Sequence, residues 1–286
     1  MLTRIITAVV LIAAVLAWLF IAQYPVYSMG ALFMYMVGAY EMGPLLGYRS
    51  RLPFPCFAVA ASTALFALSS PGEFVVSEFP EFIRYIIGVG SLVWIFAVPL
   101  LLKYPKNTEW HKNIALNTVL GLLMLVPFLL GLLVLRADSY AADPKAGAYL
   151  VLSVMALVWC ADSGAYFSGR FFGKTPMLPN VSPKKTMEGL LGGLLIAVAG
   201  LFIFMKLGWF SNYADNFGAL LFAGVLTILF SVVGDLVESM FKRLAGIKDS
   251  GKIFPGHGGM LDRIDSQLAA VPIFLTSYWL FTGAFF

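Results

Sequence analysis

Residues 114–135, IALNTVLGLLMLVPFLLGLLVL, contain no charged side chain. A helix of that length is about 30 Å long, the thickness of the hydrocarbon core of a bilayer. Lipid offers no water to satisfy backbone N–H and C=O groups, so such a run must be helical. Pro127 inside it is tolerable because neighbouring groups re-satisfy the backbone that it frees. Outward from this run the pattern repeats: apolar runs suited to spanning helices cover about 5–22, 26–42, 55–70, 82–102, 114–135, 147–167, 188–206, 217–240 and 267–286. The expectation is an all-α, polytopic integral membrane protein with nine transmembrane helices, the second and third being short. The run that follows Arg4 is longer than the apolar part of a secretory signal and lacks a small-residue cleavage site. It therefore reads as a retained first span.

Composition agrees. Of 286 residues, 60% are hydrophobic and 12% charged, and the mean hydropathy is +0.88. A soluble domain is about 45–50% apolar and about 25% charged, and no polar stretch here is long enough to form one. The chain reads as a single membrane domain over 1–286. Its N-terminal helices (1–140) serve packing, dimer contact or lipid access, and its C-terminal helices and loops (147–286) carry the chemistry. Cys56 and Cys160 stand alone in apolar runs and read as small core residues, with no disulfide or redox motif.

The net charge of +4 matters less than its placement. With nine spans, all of the nineteen Lys and Arg residues except Arg84, Arg136, Lys145 and Lys206 fall on the side of the N-terminus. The positive-inside rule makes that side cytoplasmic and the topology N-in/C-out. Glu73, Glu78, Glu81, Asp138, Asp143 and Asp215 fall in outer loops. Glu41, Asp162, Glu188, Asp235 and Glu238 lie in apolar runs or at their inner ends, where an acid is costly and by default functional. Gathered at one depth, they describe the floor of a cytoplasm-facing cavity.

The richest stretch is 231–266, SVVGDLVESMFKRLAGIKDSGKIFPGHGGMLDRIDS. On a helix, Asp235, Glu238, Ser239 and Lys242 share one face. Asp262, Asp265 and Ser266 repeat that spacing, and the loop between carries Lys248, Asp249, Lys252 and His257. Hard cations such as Mg²⁺ take one or two carboxylates plus phosphate oxygens and water. Lys and Arg neutralise the remaining phosphate charge, and Gly256, Gly258 and Gly259 let the backbone approach a ligand closely. The alternative is a plain cytoplasmic loop with surface ion pairs.

A second stretch, 160–189, holds Asp162 and a small-residue stripe, Ala161, Ala165 and Gly169, which permits close helix packing. Ser182 or Thr186 would cap the seventh helix, whose N-terminus attracts phosphate. A plain helix start with anchoring lysines fits equally well. GRFFGKT at 169–175 lacks the spacing of a P-loop and follows a helix, not a strand. His111 reads as an interfacial loop residue.

Residues 239–265, SMFKRLAGIKDSGKIFPGHGGMLDRID, resemble the signature of the phosphatidate cytidylyltransferase (CDP-diacylglycerol synthase) family. That signature is S-x-[apolar]-K-R, four residues, K-D-x-[small], then H-G-G-[apolar]-x-D-R-[apolar]-D, and each fixed position is matched. ADSGAY (161–166) and SPKKTMEG (182–189) are similar to family segments too, so the resemblance covers roughly the C-terminal half. It implies transfer of CMP from CTP to phosphatidic acid, giving CDP-diacylglycerol and pyrophosphate. It also implies dependence on Mg²⁺, with a second cation such as K⁺ left open, a homodimer, and a multi-pass place in the bacterial inner (plasma) membrane with a cytoplasmic active site. Nucleic acid is not an expected partner.

On this resemblance Asp235 and Asp262 hold the metal, and Asp265 supports them. Lys242, Arg243, Lys248, Lys252 and Arg263 bind the triphosphate or the lipid phosphate, and Ser182, Lys184 and Lys185 add contacts. Ser239, Asp249, His257, Gly258 and Gly259 complete the substrate site, with Asp162 and Glu188 orienting the basic residues. The rival readings are a CTP-dependent polyprenol kinase and a cation-coupled transporter, whose intramembrane acids and broken helices would look similar.

Overall fold

The computed structural model describes residues 2–67, 79–256 and 258–285. His257, Glu73 and Glu78 lie outside the described residues. Among those described are α1 (Leu2–Phe20), α2 (Tyr24–Leu45), α3 (Pro53–Ala67), α4 (Glu81–Lys103), α5 (Ile114–Ala137), α6 (Ala146–Phe172), α7 (Met187–Lys206), α8 (Phe217–Leu244) and α9 (Leu261–Thr282). Each helix coincides with one of the nine apolar runs. Five of them, α4 to α8, are long and apolar enough to cross a membrane.

The boundaries differ where polar residues stay helical. The ninth helix begins at Leu261 and not near 267, so Asp262, Arg263 and Asp265 stand in its first turns. The sixth runs on to Phe172. A short antiparallel hairpin, β1 (Pro176–Leu178) and β2 (Ser182–Thr186), separates α6 from α7. It was not anticipated, because segments this short and rich in Lys and Pro carry no alternating pattern. Ser182 therefore lies on a strand, and the cap of α7 is Thr186, whose Oγ1 accepts the Gly189 N–H at 3.1 Å.

Two helix pairs, α6/α7 and α8/α9, make the most extensive contacts. The small-residue stripe explains the first: a Cβ on Gly193 would stand 2.6 Å from the Ala161 carbonyl and 3.2 Å from the Ala165 Cβ. Only glycine lets these backbones come so close. The middles of α5 and α9, Leu125–Leu133 and Leu268–Leu275, are buried at the centre, and α4 packs against both.

The described connections alternate between two ends of the bundle. At one end Arg136 donates to the carbonyls of Pro144 and Ala22, and Asn212 donates to Ser139, which gathers the α1–α2, α5–α6 and α7–α8 connections. At the other end His111 Nε2 lies 2.8 Å from the Leu45 carbonyl, and Thr7 donates to the Pro255 carbonyl. His111, expected as an interfacial loop residue, lies in the α4–α5 connection, ties it to the end of α2 and packs against Phe241 of α8. The acids singled out by sequence collect at this second end.

Candidate active site

The centre is built on the last three turns of α8. Asp235 and Ser239 are four residues apart on a helix, and the Ser239 hydroxyl donates to Asp235 Oδ1 at 3.3 Å. One turn further, Lys242 pairs with Glu238 of the same face. Its ammonium also donates to Asp262 Oδ1 at 2.8 Å, tying α8 to the first turn of α9. In this Lys242 pairing the three side chains are nearly inaccessible, 14% exposed for Lys242, 4% for Glu238 and 6% for Asp262, so each charge depends on the others for compensation.

From the hairpin, Lys185 of β2 pairs with Asp235 Oδ2 at 2.7 Å. Arg243 Nε donates to the Val181 carbonyl at the hairpin turn, at 3.4 Å. The Glu188 carboxylate receives the backbone N–H groups of Lys174 and Thr175, both at 3.1 Å, and so braces the connection that leads into β1. Asp162 of α6 and Asp265 of α9 lie within electrostatic range of Asp235, and Arg263 and Lys185 act on Asp162. Segments far apart in sequence thus bring four acids, Asp162, Asp235, Asp262 and Asp265, and the cations Lys185, Lys242 and Arg263 into one region.

The loop between α8 and α9 is held by two carboxylates. Asp262 Oδ2 accepts the N–H of Ser250 at 3.0 Å, the Ser250 hydroxyl at 3.0 Å and the Gly259 N–H at 2.8 Å. Glu41 comes from α2, and its Oε2 accepts the Leu261 N–H at 2.8 Å and faces the Ser250 hydroxyl at 3.2 Å. Phe254 and Gly258 close a small turn, with Gly258 at φ 81°. A Cβ on Gly258 would stand 2.5 Å from Asp262 Oδ2, and one on Gly251 or Gly259 would collide with the Glu41 carboxylate. The glycines admit the protein's own carboxylates, an arrangement that their motif spacing did not reveal.

Lys184, Lys248, Asp249, Lys252 and Arg263 are exposed around this core. Ser182 is partly buried on its strand. Among the described residues no three His, Cys, Asp or Glu side chains form a ready-made metal cage. Ser250 is an ordinary loop serine by composition, yet it is fully buried. Glu41 stands out in the sequence as a costly acid, but no spacing there points to its partners.

The fold and site define a helical bundle of membrane-protein composition whose acids and cations are concentrated at one end. The chain belongs to the cytidylyltransferase family, whose sequence profile matches residues 2–281. That match extends well beyond the C-terminal half in which the motifs lie. A phosphatidate cytidylyltransferase of Haemophilus influenzae is 40% identical, covering 97% of this chain and 98% of its own. One of Pseudomonas aeruginosa is 37% identical, covering 96% of each. One of Staphylococcus haemolyticus is 41% identical over 47% of this chain and 50% of its own length.

Proposed function

We propose that this chain transfers CMP from CTP to phosphatidic acid, forming CDP-diacylglycerol and pyrophosphate. The observation that carries the reading is the convergence of the motif-bearing segments on one acid–cation centre, in a chain related over nearly its whole length to phosphatidate cytidylyltransferases.

A phosphatidate oxygen attacks the α-phosphorus of CTP, and pyrophosphate leaves. The attacking group is already an anion at neutral pH, so no strong general base is needed. The obstacle is repulsion between two polyanions, and positioning and charge neutralisation dominate, as in phosphoryl transfer generally. Lys242, Arg243, Lys248, Lys252 and Arg263 neutralise triphosphate and lipid phosphate. Ser182, Lys184 and Lys185 contribute from the hairpin, while Glu188 and Asp162 orient that surface. Ser239 precedes Lys242 on α8, Asp249 follows Lys248, and His257 completes this set in the sequence.

The donor set suits Mg²⁺, an oxygen-seeking cation that binds through one or two carboxylates and completes its shell with phosphate oxygens and water. Asp235 Oδ2 faces the Lys185 ammonium and Asp262 Oδ1 the Lys242 ammonium, whereas Asp262 Oδ2 is fixed by three donors that orient the other oxygen. Asp235 and Asp262 would hold the ion, with Asp265 in support. Bound there, Mg²⁺ would offset negative charge on the phosphates.

The reading extends to the setting: a single membrane domain crossing the inner membrane nine times, N-in/C-out, as a homodimer with a cytoplasmic active site. The strong bias of Lys and Arg toward the end bearing the acids supports this. Lipid substrate and product keep their acyl chains in the bilayer while CTP arrives from water, so a centre at one end of the bundle suits both. Product analysis with purified protein, phosphatidic acid, Mg²⁺ and cytosine-labelled CTP tests the reading. It expects label in a nucleotide-lipid together with free pyrophosphate. A phosphorylated lipid with labelled CDP, or no turnover by folded protein, would overturn it.

A further inference from the structure

Glu41 lies in the N-terminal part of the chain, in a helix that carries none of the motif residues. It is 1% exposed, yet among the described residues no lysine or arginine forms an ion pair with its carboxylate, and Arg51 acts on it only at longer range. It enters the α8–α9 connection instead. Oε2 receives the Leu261 N–H, one of the amides left without an intrahelical acceptor at the start of α9. The same oxygen faces the Ser250 hydroxyl, which also faces Asp262 Oδ2. A hydroxyl has one proton, so Ser250 donates to one carboxylate at a time and couples the two. Oε1 packs against Gly251 and Gly259, where any side chain would displace it, and has no hydrogen-bond partner among the described residues.

We infer that Glu41 is a positioning residue for the reaction proposed above, on which this inference rests. It clamps the loop 250–261 so that the Ser250 and Gly259 amides fix the direction of Asp262. The clamp works through accepted hydrogen bonds and reach, not through charge on a substrate. It also explains why two glycines of the loop are spaced as they are, and how a helix outside the motifs enters the site.

The test is a series of Glu41 variants of the full-length protein in detergent. Steady-state kinetics would be read beside hydrogen–deuterium exchange of the 248–261 segment. Glu41→Ala removes the acceptor and Glu41→Asp shortens its reach. Both should lower kcat by about 10-fold or more, with KM for CTP changed far less, because a small misplacement of a reacting group acts on the transition state. Exchange should quicken in 248–261 and stay unchanged in α5. Glu41→Gln keeps an acceptor at full length and should restore both readouts to near wild type. Gly251→Ala, which pushes the carboxylate out from the loop side, should reproduce Glu41→Ala.

Glu41→Ala at wild-type rate and exchange would overturn the inference. So would Glu41→Gln as impaired as Glu41→Ala with loop exchange unaltered, since that pattern belongs to a charge effect. If wild type makes no nucleotide-lipid, the proposed reaction falls, while the exchange measurement still decides whether Glu41 clamps the loop.

Discussion

Lys242 is the most committed cation of the centre. It stands between Glu238 and Asp262 in a nearly closed setting, whereas Lys185 and its partner Asp235 are about a quarter exposed. Removing one member of a buried ion pair leaves an uncompensated charge, which costs about 3–5 kcal/mol; a more solvated pair is worth about 1 kcal/mol or less. Lys242→Met should therefore destabilise the protein by roughly 3 kcal/mol, and Lys185→Met by about 1 kcal/mol or less. Thermal melts in detergent check the ranking; equal effects would mean that the Lys242 carboxylates are relieved by water. At this scale sequence went far. The shared face of Asp235, Glu238, Ser239 and Lys242 follows from helix spacing alone. The bond between Lys242 and Asp262 spans an irregular loop, and that between Glu41 and Leu261 spans most of the chain, so no local spacing could foretell either.

Among the elements, α6 and α7 form the arm that carries Asp162 and the hairpin to Asp235. Their closeness rests on Gly193 lying against the Ala161 carbonyl. Because that obstacle is backbone, a side chain there must part the helices. Gly193→Leu should cost about 1–3 kcal/mol as overpacking. It should also lower turnover by shifting Lys185 away from Asp235. Leu195, 72% exposed on the same helix, offers a control: Leu195→Ala should leave the rate near wild type. A Gly193→Leu protein with wild-type melt and rate would contradict this packing. The stripe itself was legible in sequence as small residues at helical spacing. The hairpin was not, because its strands are too short to show alternation and its Lys-rich face resembles a membrane-flanking loop.

In the whole molecule, long apolar runs made the nine helices among the described residues readable, while their ends were not. The first turns of α9 carry Asp262, Arg263 and Asp265, which look like loop by hydropathy; Glu41 of α2 accepts the first free amide of this helix, and Lys242 of α8 offsets the charge of Asp262. The same placement brings both lysine-faced carboxylates to one end of the bundle, where a lipid phosphate and a nucleotide from water could meet. The most direct measurement of that claim is the initial rate of CDP-diacylglycerol formation by wild type, Asp235→Asn and Asp262→Asn, each verified as folded, with and without EDTA. Wild-type turnover that is lost with EDTA and falls at least about 100-fold in both variants, roughly 2.7 kcal/mol of transition-state stabilisation, is the expected result. Turnover near the wild-type rate in either folded variant would remove that acid from the centre and contradict the account.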